Sequence, residues 1–182
     1  MGWIILGAVI VLILIAIGMY NSLVRLRAAC DSAWADIDVQ LKRRYDLIPN
    51  LVETVKGYAA HEKSALEAVI SARAKAMSAQ GPAAKAEAEN LLSQSLKSLF
   101  ALAEAYPQLR AVESFNQLQA SLNQIEDAVQ NARRYYNAVV RDYTAKRLEI
   151  PTNFIATLFN FEARQFFELR ETAQREPPKV QF

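Results

Sequence analysis

LQASLNQIEDAVQNARRYYNAVVRDY, residues 118–143, decides the fold. Leu118, Leu122, Ile125, Val129, Ala132, Tyr136, Val139 and Tyr143 fall at alternating steps of four and three residues. That spacing averages 3.5, so the apolar side chains line one stripe of a helix and suit packing against other helices at small crossing angles. A strand would need alternation every second residue, and the segment has none. The same rhythm appears upstream, in Leu23, Leu26, Cys30, Ala33 and Ile37, in Ile48, Val52, Val55 and Ala59, and in Leu92, Leu96, Leu99, Ala103 and Tyr106. The chain beyond residue 20 is therefore expected to be all-α.

At the N-terminus WIILGAVIVLILIAIGMY runs from Trp3 to Tyr20 without a charge. These eighteen residues make a helix of roughly 27 Å, close to the thickness of a bilayer's hydrocarbon core. Trp3 and Tyr20 stand at its ends, where amphipathic rings favour the headgroup layer. A cleaved signal peptide is the competing reading, but no basic region precedes the run and no A-x-A-like site follows it. An uncleaved transmembrane anchor over 1–20 is expected, followed by a helical bundle over 21–176 and a tail over 177–182. Arg25 and Arg27 lie just past the span and nothing basic but the α-amino group lies before it. The positive-inside rule then puts the bundle in the cytoplasm, with a periplasmic bundle as the alternative.

Glycine and proline mark the breaks. Gly81-Pro82 reads as a helix C-cap followed by proline at the first turn of the next helix. Pro151 is expected to end one helix near residue 148 and open the last one, which Pro177-Pro178 closes. Pro49 and Pro107 coincide with phase slips in the apolar rhythm, so each is a kink or a restart, with Asp46 available to cap a new helix. Unbroken, 21–79 and 83–147 would extend about 88 and 97 Å. They form either a long antiparallel hairpin or a shorter bundle folded at the prolines.

Catalytic templates lack their parts. His61-Glu62 would need a second histidine one turn on to hold zinc, and His61 is the chain's only histidine. Asp36 and Asp38, like Glu87 and Glu89, diverge by about 200° around a helix, and an exposed face is expected for each pair. No serine elbow or glycine-rich phosphate loop is present. Cys30, the single cysteine, reads as a small buried apolar residue. A net charge of +2 is too balanced for a nucleic-acid binder. No cofactor, metal or small-molecule substrate is expected.

Two features suit binding. Lys42, Arg43 and Arg44 form a basic triplet, expected on a solvated face and available to an acidic partner or to headgroups. Phe154, Phe159, Phe161, Phe166 and Phe167 crowd what is expected to be the last helix, buried on several sides or leaving aromatic surface for another subunit or lipid.

The blocks DVQLKRRYDLIPNLVETVKGYAAHE, YPQLRAVESFNQLQASLNQIED, ARRYYNAVVRDY and IPTNFIA, with the closing PPKVQF, resemble the LemA family over nearly the whole chain. The resemblance implies a bacterial, single-span membrane protein with a predominantly antiparallel four-helix bundle, placed in the plasma (inner) membrane. It implies no established enzymatic activity. The expected role is a non-enzymatic scaffold in the lipid bilayer that self-associates into a homo-oligomer and organises or shapes the membrane. The alternative is an adaptor or sensory accessory of a membrane protease or signalling protein, docking that membrane-protein partner through Lys42–Arg44.

Overall fold

The computed structural model describes residues 1–168; the expected helix end at Pro177-Pro178 and the tail over 177–182 lie outside the described residues. Helices follow one another as α1 (Gly2–Lys56), α2 (Lys63–Ser78), α3 (Pro82–Ala103), α4 (Pro107–Arg110), α5 (Glu113–Leu148) and α6 (Thr152–Leu158). Among the described residues there is no strand. The chain forms two compact units, one of Met1–Arg44 with Leu122–Gln165 and one of Tyr45–Ser121 with the segment from Phe166 onward.

In the first unit the apolar stripes supply the buried side chains: Leu23, Cys30, Ala33, Ile37 and Leu41 from α1, and Leu122, Val129, Tyr136, Val139 and Tyr143 from α5. The two helices are antiparallel. Trp34 meets Tyr136 edge-on with ring centroids 5.4 Å apart, and Arg44 Nη1 lies 2.9 Å from Glu126 Oε2. Ten residues forward on α1 thus correspond to ten back on α5.

A correction to the sequence reading follows α5. The last helix does not run on toward residue 176; α6 stops at Leu158 after seven residues. Asn160 takes a left-handed conformation, φ 53°. The N–H of Phe161 donates to the carbonyl of Ala156 at 2.9 Å, and that of Asn160 to Thr157 at 3.3 Å. This 6→1 and 5→2 pair is a Schellman closure, in which asparagine can replace the usual glycine. From there residues 161–165 run non-helically as a strap. Tyr143 and Tyr136 donate to the carbonyls of Glu162 and Gln165, each at 2.8 Å. Seven residues of helix and three of extended chain both cover about 10 Å, so the strap lies extended along α5.

In the second unit α2 and α3 pack together as a hairpin. Gly81 is not the cap of α2: it precedes α3 as N-cap at φ 78°, ψ 162°, with Pro82 at the first turn, in a region essentially reserved for glycine. The buried set comprises Ile48, Leu51 and Val55 of α1, Leu66, Val69 and Ala76 of α2, Leu92, Leu96 and Leu99 of α3, then Leu109 and Phe115.

Helix α1 continues through Pro49 and ends at Lys56. Chain reversal falls instead at 57–62, where Tyr58 and Ala59 donate to the carbonyl of Val55 at 3.0 and 2.8 Å. A distant residue serves the carbonyl that this proline leaves unserved. Pro49 has no N–H, which leaves the carbonyl of Tyr45 without its i+4 donor; Arg73 Nε of α2 donates to that oxygen at 2.8 Å.

Candidate functional site

The candidate site lies in the first unit, where the apolar run of α1 ends. An eighteen-residue window of that run is long and apolar enough to cross a membrane, and none of it is buried in the protein. Tyr20, at the end of the run, meets Phe159 and Phe161 edge-on with centroids 4.9 and 5.6 Å away. The Arg27 guanidinium sits 5.3 Å over the Phe161 ring, a cation–π contact. Asp31 accepts from Arg164 at 2.8 Å, and Arg147 Nε donates to the carbonyl of Phe161 at 2.8 Å. The strap is thus held on one side by α1 and on the other by α5.

Exposure of α6 is inverted relative to an ordinary surface helix. Thr152 and Ala156 are buried, whereas Phe154 and Leu158 are 67% and 75% exposed. Leu148, Ile150 and Phe159 are exposed beside them. No charged residue occurs from Ile150 to Phe161. The polar groups near the strap border a cavity of about 180 Å³ lined by Arg27, Asn160, Glu162, Ala163 and Arg164. Its charged lining is two guanidinium groups, Arg27 and Arg164, and the Glu162 carboxylate. Burial pushes the Cys30 thiol and the Tyr136 and Tyr143 hydroxyls above their ordinary values, since removal from water disfavours their anions.

A second polar cluster belongs to the other unit. The Tyr45 hydroxyl donates to Glu89, both residues being buried, and Lys85 lies 5.6 Å over the Tyr45 ring. Lys85 also donates to the carbonyl of Ala76 at 3.0 Å. The Tyr106 hydroxyl donates to Glu62 at 2.9 Å, and that hydrogen bond raises its pKa. His61 is exposed in the turn beside Glu62. An open cleft of about 400 Å³ is bordered by Lys97, Phe100, Glu104, Arg110 and Phe115. Among the described residues no group of three or more His, Cys, Asp or Glu could hold a metal ion.

The residues singled out from the sequence are scattered. Trp3, Arg25 and Arg27 are exposed on α1, and Tyr20 reaches α6 and the strap. The basic triplet is divided: Lys42 and Arg43 are exposed, but Arg44 is buried against Glu126. Three consecutive helical residues span about 200°, so they do not share one face. Phe159 is exposed, Phe166 half-buried and Phe167 buried. Pro49 lies inside α1, Pro82 and Pro107 open α3 and α4, and Pro151, after a cis peptide bond, precedes α6. Glu87 is exposed but Glu89 is buried, so the expectation of an exposed pair fails for Glu89; their divergence around the helix was the available signal. Arg73, Asn160 and Arg164 were not singled out, and only Asn160, between two phenylalanines, carries a local stop signal.

A family model described as the LemA family matches residues 33–182. Two relatives from Paramagnetospirillum magneticum, magnetosome proteins MamQ 1 and MamQ 2, are each 24% identical over 176 residues. Magnetosome protein MamQ of Magnetospirillum gryphiswaldense is 23% identical over 174 residues. These matches take in 81–82% of this chain but only 64% of each relative's length.

Proposed function

The chain belongs to the LemA family, and from that premise we propose that it is a non-enzymatic helical scaffold, anchored in the bacterial membrane by Trp3–Tyr20 and assembling with copies of itself. One observation carries the reading: the apolar run of α1 has no cover within the protein. Apolar surface left in water costs about 25 cal/mol per Å², so a run of exposed Ile, Leu and Val requires lipid or another apolar surface. Relatives named as magnetosome proteins support a membrane-associated role. Chemistry-bearing groups engaged in structural contacts, Glu89 with Tyr45 and Glu62 with Tyr106, support a scaffold over an enzyme.

Assembly would use the helix faces left outside the two units and would organise the bilayer around the anchors. Arg25 and Arg27 support a cytoplasmic bundle, testable by protease protection in oriented membrane vesicles. The adaptor reading loses part of its docking face, because Arg44 is buried against Glu126. The deciding experiment is mass determination of the full chain in detergent and in native-like lipid. A multimer in lipid is expected; a strict monomer in both overturns self-assembly, and release by alkaline carbonate overturns the anchor.

A further inference from the structure

We propose that α6 is a second membrane attachment, its exposed Phe154 and Leu158, with Leu148, Ile150 and Phe159 flanking it, lying in the lipid interface beside the end of the α1 span. This rests on the reading of Trp3–Tyr20 as a bilayer span. The occupant follows from position. In the antiparallel pairing of α1 with α5, Trp34 stands opposite Tyr136. Tyr20 lies fourteen residues back from Trp34, and Ile150 lies fourteen forward from Tyr136. The chain just past the end of α5 is therefore level with Tyr20, and it comes back to that level at Phe159, 4.9 Å from the Tyr20 ring. A bilayer's interfacial layer is about 5–7 Å deep on each side, comparable with that separation. With Tyr20 at the lipid boundary, a segment that leaves and returns at its level is set against the same layer.

Composition agrees with that placement. A helix on a wet surface turns polar residues outward; α6 turns out Phe154 and Leu158 while Thr152 and Ala156 face inward. Its uncharged stretch ends at Glu149 on one side and Glu162 on the other, with Arg147 and Arg164 adjoining. Large apolar side chains flanked by charge are the make-up of a segment lying in the interface rather than crossing the core. The paired geometry of the strap, with Arg147, Tyr143 and Tyr136 on its carbonyls, fixes the return leg so that α6 cannot withdraw without breaking those bonds.

The test uses the full chain reconstituted into phosphatidylcholine–phosphatidylglycerol vesicles, with Cys30→Ala and a single environment-sensitive fluorophore on a new cysteine. Three positions are compared: Leu158→Cys in α6, Ile10→Cys in the span and Gln94→Cys on an exposed face of α3. The expected result is strong quenching at 158 by a spin label near the headgroups, at 10 by a spin label deep in the acyl chains, and at 94 only by aqueous iodide. If 158 behaves like 94 while 10 stays deep, the α6 attachment is overturned and the anchor stands. If 158 is shielded from iodide and from both lipid labels, the face is covered by protein, a second copy or chain beyond residue 168, and the proposal is equally overturned. Iodide quenching at 10 overturns the span itself and the attachment with it.

Discussion

Tyr45 shows how single residues hold the second unit. Its carbonyl lost a helical donor to Pro49 and regained one from Arg73, 2.8 Å away; its hydroxyl donates to the buried Glu89. Arg73→Met should cost about 1.5–3 kcal/mol, the range for a hydrogen bond from a charged donor. In a Pro49→Ala background, where the main chain supplies its own N–H, the same substitution should cost clearly less. Denaturant unfolding of the four combinations measures the coupling, and equal costs in both backgrounds would show that Arg73 acts elsewhere. Asn160 gives a second prediction. Its positive φ disfavours branched side chains, so Asn160→Val should lower stability by about 1–2 kcal/mol while Asn160→Gly is close to neutral. Equal melting temperatures for the two variants would remove the strain argument. The tolerance of Pro49 was invisible in the sequence because the donor to the Tyr45 carbonyl lies 28 residues from Tyr45.

At the scale of elements, the apolar rhythm was sufficient to read helices, because burial of one stripe leaves a period that needs no knowledge of neighbours. Leu122, Val129, Tyr136, Val139 and Tyr143 of that stripe are buried. The ends were harder to read. Helix α1 passes its proline and stops at a six-residue turn, 57–62, whose Gly57 is its only marked breaker. Helix α6 stops by backbone geometry at Asn160 rather than at a proline. The basic triplet of 42–44 was legible as charge but not as two exposed cations and one buried, since that depends on which face α1 gives to α5. Glu126 is the partner that decides it: Glu126→Ala leaves Arg44 in a buried setting and should cost about 2 kcal/mol, below the 3–5 of a fully buried pair, because Glu126 is one-third exposed. Thermal melts of Glu126→Ala against the parent check this; an unchanged midpoint would show that the pair contributes nothing net.

For the whole molecule, the long apolar run and the family were legible because length, apolar content and a specific sequence block suffice for both. The division of the chain into Met1–Arg44 with Leu122–Gln165, and Tyr45–Ser121 with the segment that follows Gln165, was not, since it cuts within α1 and α5. Alkaline pH is expected to act on the first unit through three groups. Cys30, Tyr136 and Tyr143 are neutral when protonated and have raised pKa values in the folded protein. The folded chain therefore holds these protons to higher pH than the unfolded chain. Their contribution is fully present below the ordinary values of 9.0 and 10.0 and is lost as pH rises through the folded ones. Melting temperature should fall above pH 9, and Cys30→Ala with Tyr143→Phe should flatten that fall. An alkaline profile unchanged by both substitutions would place its origin elsewhere.

On its α5 side the strap is gripped by its main chain. Arg147, Tyr143 and Tyr136 reach the carbonyls of residues 161, 162 and 165, and every amino acid offers the same carbonyl. Side chains fix the strap to α1 only at Phe161 and Arg164 among the described contacts, so the lettering at exposed Glu162 and Ala163 stays open to drift. A saturation scan should find those two positions permissive and the two tyrosines strict. A chain built this way can rewrite the surface at those two positions without renegotiating how the strap is tied down.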